Sequence, residues 1–302
     1  MIGPITGTDR NRKKCRHLAS ELVQTGGMGM FFEDDGWRIP DEIWAKMAPL
    51  LPPRPEHPLG CHNPRVEDRA AMNAILFTLR TGCQWNALDA TGICTCSSAY
   101  RRFREWAKAG MFLEFWRQGL LTYDQWKGID WRWQSMDGAM TKAPLGGEKT
   151  GPNPTDRGKK GTKRSILVEG NGVPLGLVIA GANKNDFKLT RETIESIPIE
   201  RPAPSESRQN LCLDKGYDYD EVRQLAEAFG YTAHIRCRGE EAQDLKRAVR
   251  KKARRWVVER THSWMNRFRR LLVRWEIRAD TYLAMLHLAL GCITWLQASL
   301  PK

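Results

Sequence analysis

The chain has 302 residues, 41% of them hydrophobic and 27% charged, and a formal net charge of +13. This length allows one large hydrophobic core or two smaller ones, and two domains are the default expectation. A strongly basic chain favours a polyanionic partner, and nucleic acid is a better candidate than an acidic membrane surface. The basic excess is concentrated, because residues 236–278 hold fifteen Lys or Arg and only five Asp or Glu.

The cysteines and the two ends of the chain argue against a disulfide-bonded, secreted or membrane-spanning protein. Eight cysteines occur without a C-x-x-C pair, which predicts reduced thiols in a cytoplasmic protein. Residues 1–36 show no sustained periodicity and predict a flexible tail or an upstream start, without a cleavable signal peptide. Residues 281–300 carry no formal charge, but polar residues such as His287 and Gln297 favour a buried terminal helix over a membrane span.

Residues 37–125 are predicted to form a helical DNA-binding domain. Apolar periodicity predicts helices over 41–51 and 66–82, a short helix over 85–89 and a basic helix over 97–110. A short helix, a glycine turn and a basic helix are typical of a helix-turn-helix unit, although a helical bundle with a solvated charged face would give the same pattern. The cations that this basic helix would present to DNA are Arg101, Arg102, Arg104 and Lys108.

From residue 126 to residue 302 the pattern changes to strands alternating with helices. The segment IDWRWQSMDGAM predicts a strand running into Asp137, and the tight turn Asn171-Gly172 joins two more strands. Two further short strands are predicted. QNLCL stands before Asp214 and is followed by a helical segment, and TAHIRC is followed by a basic stretch. This order predicts an α/β layer with an antiparallel start and a parallel remainder.

A glycine- and proline-rich loop, LGGEKTGPNPTDRGKKGTKR, follows the first of these strands. It is not a nucleotide-binding phosphate loop, because Gly151 and Gly158 are too far apart and Lys159 is followed by another lysine. Its basic residues are interpreted either as contacts to a phosphate backbone or as solvated charge. These residues are Lys159, Lys160, Lys163 and Arg164.

The stretch RRWVVERTHSWMNRFRRLLVRW, residues 254–275, predicts a helix with one isolated acid, Glu259. At about 100° per residue, one stripe carries the apolar residues and the opposite stripe carries Glu259 and His262 among basic residues. When the helix is considered alone, an ion pair from Glu259 to Arg255 on a solvated face is the better explanation of the acid, and a functional role needs other carboxylates to converge with Glu259 on a metal. The candidate DNA contacts on this stretch are Arg255, Arg260, Arg267 and Arg270.

Two other acids stand at predicted strand ends. Asp137 would end the first strand and Asp214 the fourth, so both could gather at one sheet edge with Glu259 on a helix above them. Three carboxylates without thiol or imidazole suit Mg²⁺ or Mn²⁺, and a pair of such ions catalyses phosphodiester chemistry. A turn aspartate at 137 and a helix N-cap at 214 are the simpler readings. Rival acids are Asp130, Asp156, Asp186, Asp218 and Asp220.

Several ordered blocks resemble a known family. SMDGAM, VPLGLVIAGANKND, LDKGYD and RRWVVERTHSWMNRFRRL are similar to the catalytic blocks of bacterial insertion-sequence transposases of the insertion-sequence-five branch. The resemblance implies a ribonuclease H-like catalytic domain in which Asp137, Asp214 and Glu259 form a DDE triad. It also implies two Mg²⁺ ions, with Mn²⁺ as a substitute, and double-stranded DNA, namely terminal inverted repeats and target DNA, bound by a homodimer.

The family signature around the last acid is only partly present. Arg255 and Glu259 match it, whereas Lys252 stands at the tyrosine position and Asn266 at the lysine position. The matching blocks as a whole predict a transposase that hydrolyses DNA at the element end and transfers the strand. It would act in the bacterial cytoplasm, and on the nucleoid when bound to DNA. The alternatives are a ribonuclease H-like nuclease without strand transfer and a catalytically silent DNA-binding repressor.

Overall fold

The computed structural model describes residues 37–53, 65–235 and 256–300. From Trp37 onwards the chain forms one compact unit. The helices are α1 (Asp41–Met47), α2 (Asp68–Thr81), α3 (Cys96–Lys108), α4 (Met111–Lys127), α5 (Thr190–Glu195), α6 (Asp220–Ala228), α7 (Trp256–Asn266) and α8 (Ala279–Ser299). The strands are β1 (Trp133–Lys142), β2 (Gly151–Pro152), β3 (Lys160–Glu169), β4 (Pro174–Gly181), β5 (Gln209–Leu213) and β6 (Tyr231–Ile235). Short 3-10 helices cover Ala48–Leu50, Trp85–Ala90, Asp186–Leu189, Lys215–Tyr217 and Arg269–Leu271.

The strands of the described residues form one mixed sheet with β1 near its centre. β1 pairs antiparallel with β3 on one side and parallel with β5 on the other, and β5 pairs parallel with β6. β3 also pairs antiparallel with β4 along most of its length and with β2 at its beginning. The predicted antiparallel start and parallel remainder are therefore confirmed, and so is a mixed sheet flanked by helices.

Helices cover both faces of this sheet. Ser165 and Arg164 are consecutive in β3, so their side chains point to opposite faces. The Ser165 hydroxyl accepts a hydrogen bond from Thr193 of α5 at 2.8 Å, whereas Arg164 Nη1 donates to the carbonyl of Leu271 at 3.4 Å. α5 thus lies on one face, and the segment that contains α7 and the following 3-10 helix lies on the other.

The terminal helix α8 is the core helix of the second face and packs along α4. Gly291 allows this close approach, because a Cβ there would meet the ring of Phe115 at 2.5 Å. Trp295 stacks on the same ring and donates its Nε1–H to the Phe115 carbonyl at 3.2 Å. Among the described helices α8 alone is long and apolar enough to cross a membrane. However, 78% of its most apolar 18-residue stretch is buried inside the protein. The prediction of a buried terminal helix is confirmed.

α4 belongs with the sheet as much as with the helices before it. The boundary predicted after residue 125 falls inside α4, which runs from Met111 to Lys127. Trp116 in its middle donates to the carbonyl of Pro174 at the start of β4 at 3.2 Å and stacks on His287 of α8. A separate helical unit for DNA binding would consequently be limited to the helices before α4, and that role stays a prediction.

The turn between β3 and β4 is held by a buried carboxylate. Glu169 Oε1 accepts hydrogen bonds from the backbone N–H groups of Asn171 at 2.9 Å and Val173 at 3.0 Å. Burial raises the pKa of Glu169 to about 7, and the nearby Asp130 charge adds to the shift, against the lowering effect of its backbone hydrogen bonds. The predicted tight turn is present, with Gly172 at φ 87°, a conformation that glycine adopts without strain.

A Glu169→Gln variant is expected to lose one component of the pH dependence of stability. The pKa of Glu169 in the folded state lies above the ordinary value, so the protonated carboxyl stabilises the fold relative to the ionised one. This stabilisation is complete below pH 4.5 and is lost as pH rises through about 7. The neutral amide does not titrate. From pH 4.5 to pH 8 the unfolding free energy of the wild type should therefore fall by about 3 kcal/mol relative to that of the variant. Urea unfolding at several pH values measures this difference.

The control is Glu200→Gln, which replaces an exposed glutamate. Its stability should follow the wild type across the same pH range. Parallel pH profiles for Glu169→Gln and the wild type would show that the Glu169 carboxylate does not titrate in this window.

Candidate active site

The register of two neighbouring strands aligns Asp137 with Asp214. β1 and β5 are parallel, with Trp133 opposite Asn210 and Ser135 opposite Cys212. Two residues further along both strands come Asp137 and Asp214, and the extended backbone of Asp214 continues the strand direction. Neighbouring strands lie about 4.8 Å apart and residues in register point to the same face. This register directs both aspartates to the same face of neighbouring strands, and both are half-buried. Their role as site residues stays a prediction.

One part of that prediction was wrong, because Asp137 does not end its strand. β1 continues to Lys142, where its last residues pair with β3 alone. It is β5 that stops, at Leu213, and Asp214 then caps the following 3-10 helix by accepting from Gly216 N at 2.8 Å. Asp137 is held locally in a similar way, since its Oδ1 accepts from Gly138 N at 2.8 Å.

The helix that carries Glu259 is shorter than the 22-residue stretch from which it was predicted. α7 begins at Trp256 within the described residues and ends at Asn266, and a turn and a 3-10 helix follow. Its buried side is centred on Val258, Thr261 and Met265. The predicted apolar stripe was therefore wrong in position, because residues after Asn266 do not continue the helical period. His262 and Arg270, assigned to the polar stripe, are buried.

α7 has two flanks, and they face different parts of the sheet. On one flank Thr261 Oγ1 donates to the carbonyl of Gly172 at 2.6 Å, and Arg260 donates to that of Asn171. This flank faces the β3–β4 turn. At about 100° per residue, Glu259 lies on the other flank together with His262. Glu259 is exposed, and it lies on the flank of α7 away from the β3–β4 turn.

His262 connects this flank to β1. Its ring lies beside the backbone of Asp137 and near the guanidinium of Arg164, and the residue is only 9% exposed. Burial lowers the pKa of His262 to about 4, and the positive charge of Arg164 adds to that effect. The imidazole is therefore neutral at physiological pH.

A buried tyrosine lies near both aspartates and near Asp186. Tyr217 follows Asp214 by three residues and is 1% exposed. Burial raises the pKa of its phenol well above the ordinary range, and the negative charges of Asp186, Asp137 and Asp214 raise it further. Three carboxylates thus act on one hydroxyl. Neither Tyr217 nor His262 was predicted as a site residue, although each lies three residues after a predicted acid.

Four of the five rival acids have cationic partners. Asp186 lies on the other side of β1 from Asp137, since it packs over Gly138, and it accepts from Lys163 Nζ at 2.9 Å. Asp220 is exposed in the first turn of α6. The remaining pairs are Asp130 with Arg132 at 3.0 Å, Asp156 with Lys142 at 3.3 Å and Asp218 with Arg223 at 2.6 Å.

The chemistry of the donors suits a hard divalent cation, but the described residues do not form a closed metal cage. No group of three or more His, Cys, Asp or Glu side chains in the described part of the chain is close enough to hold an ion. Asp137 and Asp214 come from adjacent strands, whereas Glu259 comes from a helix above them. The metal role of all three residues is therefore a proposal.

Four cations predicted to contact DNA are buried instead, and for them the prediction was wrong. Arg102 and Arg270 are ion-paired with Glu105 and Glu276. Lys163 and Arg164 are 6% and 3% exposed, because alternation along β3 points them into the two packed faces of the sheet. Loop composition alone cannot predict that a strand begins at Lys160.

The other predicted cations divide into two groups. Arg260 is half-buried and stacks between the rings of Trp256 and Trp264, with centroid distances of 4.5 and 4.9 Å. Arg255 lies outside the described residues. The predicted cations that are exposed, and so accessible to a phosphate backbone, are Arg101, Arg104, Lys108, Lys159, Lys160 and Arg267.

Sequence comparisons decide the family. Residues 86–295 match the family described as "Transposase DDE domain". The chain belongs to the DDE transposase family. Residues 39–116 also match the family "Putative transposase of IS4/5 family". A protein of Burkholderia cepacia, "Putative transposase for insertion sequence element IS402", is 39% identical over 154 residues, which are 50% of this chain and 70% of that protein.

Two further comparisons cover other shares of the chain. The transposase is 33% identical over 118 residues to "Insertion element IS402 uncharacterized 16.2 kDa protein" from Burkholderia cepacia, covering 38% of this chain and 80% of that one. Among solved structures, a pre-cleavage Mos1 transpososome aligns with 90% of this chain and 98% of its own, at 11% identity and a TM-score of 0.26. That score is low, and the family assignment rests on the sequence matches. The protein is thus a DNA-transposing enzyme of an insertion sequence.

An Arg270→Met variant is expected to lower the free energy of unfolding of the transposase by about 3 to 5 kcal/mol. The reason is that Glu276, whose side chain is 6% exposed, would be left as an unpaired buried charge. A second substitution, Glu276→Leu, should recover much of the loss. Urea unfolding of the single and double variants measures both effects.

The matched control is Arg267→Met, three residues earlier and exposed. It should change the unfolding free energy by no more than about 0.5 kcal/mol. If Arg270→Met instead weakened DNA binding and left stability unchanged, the buried ion pair would be wrongly assigned.

Proposed function

We propose that this transposase binds the terminal inverted repeats of its insertion sequence as a homodimer, cuts the element ends and joins them to target DNA. The proposed catalytic residues are Asp137, Asp214 and Glu259. The observation that supports the proposal is the register of β1 and β5, in which the paired residues Ser135 and Cys212 each stand two positions before an aspartate. The orientation of α7 supports Glu259 as the third member, because its other flank is fixed to the β3–β4 turn.

The three carboxylates are proposed to hold two divalent cations, Mg²⁺ in the cell with Mn²⁺ as a substitute. Carboxylate oxygens are the ligands that these ions prefer. Bound ions of this kind supply activation of the attacking oxygen and stabilisation of the leaving oxygen. Like-charged side chains repel one another until a cation neutralises them, so Glu259 is expected to approach the aspartates when the site is loaded.

The exposed cations are proposed to bind the phosphate backbone. Arg101, Arg104 and Lys108 follow a helical period of three to four residues and so share one face of α3. Lys159 and Lys160 stand at the start of β3, at the end of the loop after β1. Lys and Arg at such positions fix orientation on DNA without reading its sequence, and they make affinity dependent on salt.

The chemistry of the proposed reaction balances in two steps. Water attacks the phosphodiester at the element end, and the bond between phosphorus and the 3′ oxygen breaks to release a 3′-hydroxyl. That hydroxyl then attacks a phosphodiester of target DNA, so one bond between phosphorus and oxygen forms as another breaks. Asp137, Asp214 and Glu259 would orient the reacting groups in both steps, which is why hydrolysis and joining should depend on the same residues.

The Asp137→Asn variant is expected to lose cleavage and joining together. Removal of one charged ligand should lower the rate on the order of 10²- to 10³-fold or more. A suitable substrate is a plasmid that carries the coding sequence with its native flanking DNA, because that DNA should include both element ends. Labelled ends then report cleavage and joining as separate products in Mg²⁺, and gel mobility reports DNA binding.

Asp220→Asn is the matched control, because Asp220 is an exposed acid in the first turn of α6. It should retain both reactions. Cut products that are never joined would identify a nuclease, and DNA binding without metal-dependent cleavage would identify a silent repressor. Full activity of Asp137→Asn would overturn the assignment of the catalytic residues.

A further inference from the structure

We propose that His262 is a positioning residue that sets α7 against β1, so that the Glu259 carboxylate is directed towards those of Asp137 and Asp214. This inference rests on the proposed function, because it concerns the same three acids. It assigns no contact with DNA or metal to His262 itself. The argument starts from the hydrogen bonding of the buried imidazole.

His262 is a buried polar side chain whose ring makes few hydrogen bonds to offset the cost of its burial. The residue is 9% exposed, and neither ring nitrogen has a well-aligned hydrogen-bond partner among the described residues. The Nε of the neighbouring Arg164 is buried and unpaired in the same way. Unpaired buried polar groups cost stability, and an apolar side chain of similar size would avoid that cost. Packing alone therefore does not explain a histidine here.

The position of His262 on α7 explains it better. Glu259 precedes His262 by three residues, so the two side chains are neighbours one turn apart on the same flank. The His262 ring lies beside the backbone of Asp137 itself. The imidazole thus lies between α7, which carries Glu259, and Asp137 of β1.

The opposite flank of α7 has its own attachment. Thr261 donates to the Gly172 carbonyl, and a Cβ at Gly172 would lie 3.2 Å from Val257, so the turn packs closely against the helix. An attachment on one flank only would allow α7 to rotate about it. His262 supplies a contact on the other flank, and such a rotation is what would move Glu259 away from the aspartates.

The test uses Mn²⁺ binding to the full chain without DNA, measured as the Mn²⁺ concentration that gives half of the maximal thermal stabilisation. His262→Leu should raise this concentration by about tenfold or more, since residues that orient metal ligands have effects of that size. Its melting temperature without metal should stay at or above that of the wild type. His262→Phe, which keeps a planar ring at this position, should recover part of the Mn²⁺ affinity.

His287→Leu is the matched control, because burial also lowers the pKa of His287 to about 4 but its ring stacks on Trp116 of α4. It should leave the Mn²⁺ midpoint unchanged. An unchanged midpoint in His262→Leu, or an equal shift in His287→Leu, overturns the positioning role. Asp137→Asn is measured in parallel: if it too leaves the midpoint unchanged, the proposed metal site fails and the inference fails with it.

Discussion

The pairing of β1 and β5 is the constraint on which the proposed active site depends. Parallel strands in a fixed register bring residues that are 77 positions apart in sequence, Asp137 and Asp214, onto neighbouring strands and one face. A slip of one residue would turn either aspartate to the opposite face. The long antiparallel pairing of β1 with β3 and the buried faces of β3 and β5 make such a slip costly.

The second constraint is the placement of α7. The β3–β4 turn, held by the Glu169 carboxylate, gives Thr261 and Arg260 carbonyl partners on one flank of the helix. On the other flank His262 reaches the backbone of Asp137. The sheet fixes two of the acids, and contacts on two flanks of one helix direct the third towards them.

The sequence predicted what depends on local pattern and failed where tertiary packing decides. The tight turn at Asn171-Gly172 and the order of strands and helices follow from turns, glycines and apolar patterns, and both were confirmed. The end of β1 was not predictable, because it is set by pairing with β3 rather than by Asp137. Net charge indicated a polyanionic partner, but it could not separate exposed Lys160 from buried Lys163. His262 was placed on the wrong face because α7 stops at Asn266.

The most direct test of the central claim is anomalous diffraction from crystals of the transposase soaked in Mn²⁺. The account predicts a strong anomalous peak within about 2 to 2.5 Å of carboxylate oxygens of both Asp137 and Asp214, with Glu259 turned towards it. A peak at Asp186 or at another acid, with Asp137 and Asp214 free of metal, would contradict it. The same would follow if the two aspartates were found on opposite faces of the sheet.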